Sequence, residues 1–251
     1  MTYIKDILDF TETFAPLGTA MDFDNVGLLV GSGGCAVDTV LVALDITDAV
    51  VAEAEKVGAQ LIISHHPVIF SPLKSLSCGD IPYMLAKSGI SALCLHTNLD
   101  LSPVFGVNTC LADAVGVRDY AFAEGECLLV GELEAETTSR EFAACVKTAL
   151  GCGGVRFTLG DKRVKKVAVC SGSGGDYAPL AAELGADALL TGEIKHHEIL
   201  DAVRLGVAVI DAGHFKTEDV VIAPLCEKLC ARFTDVKFIR SQKCTDTVEY
   251  C

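Results

Sequence analysis

The sequence predicts an α/β protein built from two related halves. Short apolar runs typical of buried strands alternate with helical stretches that end at a glycine, and this alternation is typical of parallel α/β units. The same alternation returns in the second part of the chain. With 251 residues, the chain has room for two small domains at roughly 100 to 200 residues each. We place these domains at residues 1–124 and 125–251.

The first half begins with a helix and continues as strands separated by helices. Apolar residues recur at helical spacing from Ile4 to Phe14 and stop before Pro16, whereas the later apolar runs are short and continuous. The expected elements are a helix over residues 4–14, a strand over 40–45, a helix over 47–57 that stops at Gly58, a strand over 61–63, a helix over 83–88 that stops at Gly89, and a strand over 90–95.

The second half repeats this order of elements. Its expected elements are a strand over residues 128–133, a helix over 139–150, a strand over 167–170, a helix over 177–184 that stops at Gly185, and a strand over 188–190. Residues 58–63 and 185–190 share one pattern of small and apolar residues. A repeat of about 120 residues is too long for a solenoid, so it indicates two half-molecules with a cleft between them.

All six histidines lie in four short segments that follow predicted strands. The segments are Ser64-His65-His66-Pro67, His96-Thr97-Asn98-Leu99-Asp100, Gly192-Glu193-Ile194-Lys195-His196-His197-Glu198 and Gly213-His214-Phe215-Lys216-Thr217-Glu218. Functional residues of parallel sheets lie beyond the carboxyl ends of the strands. Imidazole with carboxylate is the ligand set of hydrolytic metal sites, so we expect a metal site in the cleft.

Five side chains in this pattern indicate two metal ions rather than one. They are His65, His66, Asp100, His214 and Glu218. One tetrahedral zinc would use three or four of them, and a carboxylate can bridge two ions about 3.5 to 4 Å apart that activate a shared water. Because side chains alternate along extended backbone, the two adjacent histidines serve different ions or one of them only supports a ligand. The donor set accepts zinc, iron or manganese.

Five motifs extend over essentially the whole chain. They are Asp22-Phe23-Asp24-Asn25-Val26-Gly27-Leu28-Leu29-Val30-Gly31, Ser64-His65-His66-Pro67, His96-Thr97-Asn98-Leu99-Asp100, Thr191-Gly192-Glu193-Ile194-Lys195-His196-His197 and Gly213-His214-Phe215-Lys216-Thr217-Glu218. In order and spacing they resemble the NIF-three-like family (NGG-one interacting factor three), also labelled GTP cyclohydrolase I type 2. The resemblance implies a two-domain α/β subunit, a toroidal homohexamer and a dinuclear metal centre that faces the inner cavity.

The resemblance assigns metal ligation to the same five residues that the spacing selects. It also implies that His96 and Glu193 line the site as catalytic residues that move protons. Phe23 stands where the family often has tryptophan. The chain corresponds to the short form of the family, without the domain that longer members insert between the halves.

Composition argues against several classes of partner. A net charge of −14 leaves too few clustered cations for a nucleic-acid surface. No run of about 18 apolar residues is present, and the N-terminal residues lack the pattern of a signal peptide, so we expect no membrane association and a cytoplasmic location. The twelve cysteines occur singly and are expected to be reduced thiols.

Two other segments have more than one interpretation. Residues 171–175, Ser-Gly-Ser-Gly-Gly, follow a strand and form either a tight turn or a set of backbone amides for a phosphate, although the lysine of a P-loop is missing. His196 and His197 stand several residues beyond their strand, so we expect them to line the cleft or support structure rather than bind metal.

These observations lead to one main functional hypothesis and two alternatives. The main hypothesis is a dinuclear-metal hydrolase whose small-molecule substrate is a nucleotide or a related heterocycle, with GTP cyclohydrolase activity implied by the resemblance. One alternative is a hexameric metal-binding scaffold or regulatory protein without turnover. The other is a metal-dependent phosphoesterase.

Overall fold

The computed structural model describes residues 1–251 and confirms the α/β class. The strands in chain order are β1 (Thr2–Tyr3), β2 (Gly27–Val30), β3 (Ala36–Val37), β4 (Thr39–Ala43), β5 (Leu61–Ser64), β6 (Ser91–Cys94), β7 (Val117–Phe122), β8 (Leu129–Thr138), β9 (Arg156–Phe157), β10 (Arg163–Ser173), β11 (Ala188–Glu193), β12 (Ala208–Asp211) and β13 (Lys237–Arg240). The helices are α1 (Ile4–Thr11), α2 (Asp48–Val57), α3 (Ile81–Ser88), α4 (Thr97–Asp100), α5 (Val107–Ala114), α6 (Ser139–Leu150), α7 (Ala178–Glu183), α8 (His196–Arg204), α9 (His214–Asp219) and α10 (Ile222–Arg232). None of these helices combines the length and the apolar character that crossing a lipid bilayer requires.

The chain forms two compact units, and each unit is made of two chain segments. The first unit comprises Met1–Leu99 and Ile222–Thr245, and the second comprises Asp100–Val221 and Asp246–Cys251. The predicted boundary between residues 124 and 125 does not coincide with the division between these units, because strands pair across it. β7 pairs with β8 in the sheet of the second unit, whereas β13 returns to pair with β4 in the first. An origin of the two halves by duplication stays a prediction.

The first unit contains a five-stranded sheet in the order β13-β4-β5-β6-β2. Four neighbouring strands run parallel, and only β2 at the edge is antiparallel. On one face, Val50 and Val51 of α2 and Leu85 of α3 pack with Leu41 and Ile62 of the sheet. Because the strands are parallel, the residues that follow β5 and β6 lie at one edge of the sheet.

The second unit contains a six-stranded sheet in the order β7-β8-β10-β11-β12-β9. Its strands β10, β11 and β12 are parallel, and the flanking strands pair antiparallel. Helices cover both faces, since Phe142 of α6 packs in the same cluster as Val167, and Ala178 of α7 packs in the same cluster as Ala168. Val167 and Ala168 are adjacent in the chain, so their side chains point to opposite faces.

Local capping explains where the central helices begin and end. The Thr47 hydroxyl accepts a hydrogen bond from the main-chain nitrogen of Val50 at 3.4 Å and starts α2. Gly58 has a φ of 71° and ends it, as the sequence predicts. Thr138 is the N-cap of α6, and its hydroxyl accepts from the main-chain nitrogen of Glu141 at 3.2 Å.

Several predicted boundaries differ from the structure, and two of these differences change the description of an element. α1 ends at Thr11 instead of residue 14. β10 continues to Ser173, so residues 171–173 extend a strand and do not form the tight turn predicted for 171–175. Pairing with the adjacent β11 carries β10 further, because Ser173 pairs with Glu193 after a local irregularity.

Candidate metal centre

Three histidines of the first unit gather at the carboxyl edge of its sheet. His65 and His66 follow β5, and His96 stands two residues beyond the parallel strand β6. The ring centroid of His65 lies 5.0 Å from that of His66 and 5.1 Å from that of His96, and the remaining pair is 5.5 Å apart. One ring nitrogen from each histidine lies within 4.8 Å of the other two. The three imidazoles are therefore close enough to hold a metal ion.

His65 is held by a main-chain acceptor inside the unit. Its side chain is buried, and its Nδ1 atom lies 2.8 Å from the carbonyl oxygen of Leu95. A carbonyl oxygen only accepts, so Nδ1 carries the hydrogen and the lone pair of the neutral ring resides on Nε2.

Carboxylates take the same place beside the other two imidazoles. Nδ1 of His66 lies 2.7 Å from Oδ1 of Asp45, and Nδ1 of His96 lies 2.8 Å from Oδ1 of Asp24. Histidines that ligate metals commonly donate their second nitrogen to a carboxylate or carbonyl oxygen, and imidazole nitrogens suit zinc and iron. By the chemistry of its donors, this cluster fits a transition-metal ion.

Asp24 ties its own loop to the segment that follows β6. Its Oδ1 also accepts from the main-chain nitrogen of Asn25 at 2.7 Å, and its Oδ2 accepts from the main-chain nitrogen of Thr97 at 3.0 Å and from the Thr97 hydroxyl at 2.5 Å. Burial by itself would raise the pKa of Asp24. The hydrogen bonds and charge of His96, together with the hydrogen bonds of Thr97, outweigh burial and hold this pKa well below its usual range.

In the second unit, His214 and Glu218 lie one helical turn apart on α9, directly after β12. The turn between strand and helix is made by Gly213, whose φ is 87°. Nε2 of His214 lies 3.0 Å from Oε2 of Glu218, and its Nδ1 lies 3.5 Å from Oε2 of Glu193 at the end of β11. The side chain of Glu218 is buried, whereas that of Glu193 is 60% exposed. Glu218 and Glu193 therefore face different nitrogens of the His214 ring.

The backbone of β10 leaves room for Glu218 only because position 172 is glycine. Gly172 has a φ of +58°, and a Cβ built there would stand 2.1 Å from Oε1 of Glu218 and 3.3 Å from Cε1 of His214. The main-chain nitrogen of Gly172 donates to the hydroxyl of Thr217 at 3.1 Å, and that hydroxyl donates to the carbonyl of His214 at 2.9 Å. Thr217 therefore joins the start of α9 to the end of β10.

Asp100 is the last residue of α4 and is buried. Its carbonyl oxygen accepts a hydrogen bond from Nδ2 of Asn108 at 3.3 Å, and Oδ1 of Asn108 accepts from the main-chain nitrogen of Ser171 at 2.7 Å. Asn108 thus fixes the backbone of Asp100 to the end of β10. That all five predicted ligands bind metal in one centre stays a prediction.

Most of the amides at the end of β10 and directly after it donate hydrogen bonds within the fold. The main-chain nitrogens of Ser171, Gly172 and Gly174 donate to Asn108, Thr217 and Thr191 respectively, in the last case at 3.0 Å. Three of the five amides that the phosphate-binding interpretation of residues 171–175 requires are therefore engaged within the fold.

His196 and His197 open α8 and join neither of these groups. Nε2 of His197 lies 3.9 Å from Glu198, and its side chain is 72% exposed. The site residues that sequence reasoning missed are instead Asp24 and Asp45, the carboxylates beside the histidines. Asp45 had a detectable signal, since it follows β4, the parallel neighbour of β5. Asp24 lies in the first of the five motifs, but no local pattern indicated its partner His96, which is 72 positions away in the chain.

Comparison with known proteins shows the family to which the chain belongs. A family model described as Duf34/NIF3 (NGG1p interacting factor 3) matches residues 2–247. A Clostridium perfringens protein named "GTP cyclohydrolase 1 type 2 homolog" is 34% identical over 98% of this chain and 99% of its own length. The crystal structure of a Staphylococcus aureus hypothetical protein is similar over 100% of this chain and 99% of that one, with a TM-score of 0.93 and 31% identity. A Bacillus cereus protein related to NIF3 has a TM-score of 0.89 and 26% identity, with 99% of both chains covered. The chain therefore belongs to the Duf34/NIF3 (NGG1p interacting factor 3) family.

Proposed function

We propose that the chain is a hydrolase that depends on two divalent metal ions. The observation that carries this proposal is the pair His65 and His66, each with a ring nitrogen within 4.8 Å of the other and of a ring nitrogen of His96, the proposed proton acceptor. His214 and Glu218, 3.0 Å apart in the second unit, add a donor pair of the same kind. The proposed ligands are His65, His66, Asp100, His214 and Glu218.

The bound ions would supply Lewis acidity and would lower the pKa of a bound water toward neutrality. The ions are zinc, iron or manganese, since imidazole and carboxylate donors accept all three. In the proposed reaction, His96 accepts a proton while Asp24 holds its Nδ1 atom at 2.8 Å. Glu193, with its largely exposed carboxylate, exchanges protons between the site and the solvent.

The proposed substrate is a nucleotide or a related heterocycle, and GTP is the first candidate. Support for GTP comes from the name of the Clostridium perfringens relative. The main-chain nitrogens of Ser171, Gly172 and Gly174 are engaged within the fold, which argues against this segment as the site for phosphate groups. Guanine ring opening releases formate, whereas phosphoester hydrolysis releases phosphate, so the products separate the two reactions.

The proposal includes assembly as a homohexamer and a cytoplasmic location. None of the twelve cysteines forms a disulfide in the structure, which is consistent with a reducing compartment. Light scattering of the purified full chain measures the assembly directly. A mass of six chains supports the hexamer, and a monomer mass contradicts it.

The test of the proposed activity uses protein loaded separately with zinc, iron and manganese. Each preparation is incubated with GTP and a panel of other nucleotides, and the products are followed by mass spectrometry. Release of formate supports a cyclohydrolase, and release of phosphate supports a phosphoesterase. Stable metal binding with no turnover of any nucleotide would favour a scaffold or regulatory protein. The matched control is His197→Ala, which changes an exposed histidine outside both groups.

A further inference from the structure

The Nδ1 atoms of the three imidazoles of the first unit face different kinds of hydrogen-bond acceptor. His65 faces a neutral carbonyl oxygen, whereas His66 and His96 face the carboxylates of Asp45 and Asp24. A neutral imidazole has one N–H and one lone pair, and the hydrogen bond made by one nitrogen decides which nitrogen keeps the lone pair.

We propose that Asp24 and Asp45 are positioning residues that hold His96 and His66 in the tautomer with hydrogen on Nδ1. An ionised carboxylate accepts hydrogen bonds and donates none, so the neighbouring Nδ1 must carry the hydrogen. The lone pair of each ring is then on Nε2, the nitrogen that can bind a metal or accept a proton. Neither aspartate needs to contact a metal or substrate for this role.

The two aspartates are built into the fold in different ways. The side chain of Asp24 is fully buried and accepts four hydrogen bonds, from Asn25, His96 and both the main chain and the hydroxyl of Thr97. The side chain of Asp45 is 43% exposed, and the bond that it accepts from His66 is a local contact at the strand end. Substitution of Asp24 should therefore disturb both the loop and the tautomer, whereas substitution of Asp45 should act mainly on its histidine.

Asparagine is the informative replacement because it keeps the shape of aspartate and adds donors. Its NH₂ group can donate to Nδ1, which favours the alternative tautomer with hydrogen on Nε2. Asp45→Asn is expected to shift the tautomer equilibrium of His66 toward hydrogen on Nε2 and to leave the tautomer of His96 unchanged. Asp24→Asn is expected to shift the tautomer equilibrium of His96 and to leave the tautomer of His66 unchanged, so each variant is the control for the other.

A second consequence concerns metal affinity, and this part rests on the proposed function. A carboxylate beside a ligating histidine orients the ring and raises its basicity, and loss of such a partner typically lowers metal affinity by about 10-fold to about 100-fold. Asp45→Asn is therefore expected to weaken zinc binding within that range. Asp38→Asn is the matched control, because Asp38 precedes the same strand β4 and accepts a hydrogen bond from Thr39 instead of a histidine.

The experiment measures ring-nitrogen signals of ¹⁵N-histidine-labelled full-length protein by NMR. The protein is freed of metal with a chelator and kept at about pH 8, above the ordinary histidine pKa of about 6.5. Wild-type protein should show both His66 and His96 with hydrogen on Nδ1, and Asp45→Asn should change His66 alone. Unchanged His66 tautomer in folded Asp45→Asn protein would overturn the proposal. A change of tautomer in all the histidines at once would also overturn the proposal, because that result indicates a general structural effect.

Zinc titration against a competing chelator then tests the second consequence in the same variants. Weaker zinc binding in Asp45→Asn than in Asp38→Asn supports the positioning role. Equal affinity in the two variants contradicts that role in metal binding. Failure of the wild-type protein to bind zinc, iron or manganese would defeat the proposed function instead, and the tautomer result would stand independently.

Discussion

Nε2 of His214 lies 3.0 Å from Oε2 of Glu218, one turn further along α9. Both side chains come from a short helix that begins directly after β12, and the buried carboxylate fills the space above Gly172. The position of this donor pair therefore depends on Gly172, a residue of β10 that has no side chain. This relationship makes Gly172 a sensitive point of the second unit.

Gly172→Ala is predicted to destabilise the protein and to weaken metal binding. A left-handed backbone conformation costs a residue with a Cβ about 1–2 kcal/mol, and the new methyl group would also collide with Glu218. Gly185→Ala is the control, because Gly185 has a φ of +71° in the same unit and nothing within 4 Å of its added Cβ. Urea denaturation should show a loss of about 1–2 kcal/mol for Gly185→Ala and a larger loss for Gly172→Ala.

The two glycine variants should also differ in metal content. Gly185→Ala is expected to keep the metal of the wild-type protein, since the substitution lies away from His214 and Glu218. Equal stability losses and equal metal content in the two variants would show that Glu218 does not depend on the space at Gly172.

The capping box at the start of α6 predicts a specific dependence of stability on pH. The main-chain nitrogen of Thr138 donates to Glu141 at 2.9 Å, and the hydroxyls of Thr138 and Thr137 donate to the same carboxylate oxygen. The main-chain hydrogen bond from Thr138, with those of the two hydroxyls, lowers the pKa of Glu141 below its ordinary value of 4.5. A lowered pKa in the folded state means that the ionised form stabilises the fold.

Glu141→Gln should therefore be less stable than the wild-type protein near neutral pH. The difference is complete above the ordinary carboxyl pKa and disappears as the pH falls through the lowered pKa of the folded state. Urea denaturation of both proteins from about pH 7 to about pH 3 measures the difference. A difference that stayed constant over this range would assign the effect to packing rather than to charge.

Burial divides the cysteines into reactive and protected groups. Burial raises the pKa of the Cys110 thiol to about 11 and that of Cys226 to about 12, whereas Cys78 and Cys145 are exposed. Alkylation requires the thiolate, so a pKa raised by two units lowers the reactive fraction by about 100-fold. Mass spectrometry after brief treatment with iodoacetamide at about pH 8 should find label on Cys78 and Cys145. Comparable early labelling of Cys110 or Cys226 would contradict the burial of these thiols.

Strand and helix positions near the histidines could be predicted from sequence because their signals are local. A continuous apolar run predicts β5, Thr47 and Gly58 bound α2, and Gly185 follows α7 by two residues. The four-residue spacing of His214 and Glu218 is the spacing of neighbours on one helix face, and α9 has that form. These features require knowledge only of residues a few positions apart.

The remaining features depend on partners distant in sequence. β13 joins the first sheet through pairing with β4, and no local pattern of residues 237–240 shows that return. Residues 171–175 have the composition of a turn, yet pairing with β11 and contacts from Asn108 and Thr217 extend the strand and engage its amides. The partnership of Asp24 with His96 likewise exists only once β6 has brought that histidine to the sheet edge.

Elemental analysis of protein purified without a metal-binding tag tests the central claim most directly. The account predicts about two divalent ions per chain in the wild-type protein, since five imidazole and carboxylate donors exceed the needs of one ion. His65→Ala and Glu218→Ala should each lose most of this metal, while His197→Ala should keep it. Metal-free wild-type protein after incubation with zinc, iron and manganese, or full metal content in both ligand variants, would contradict the account.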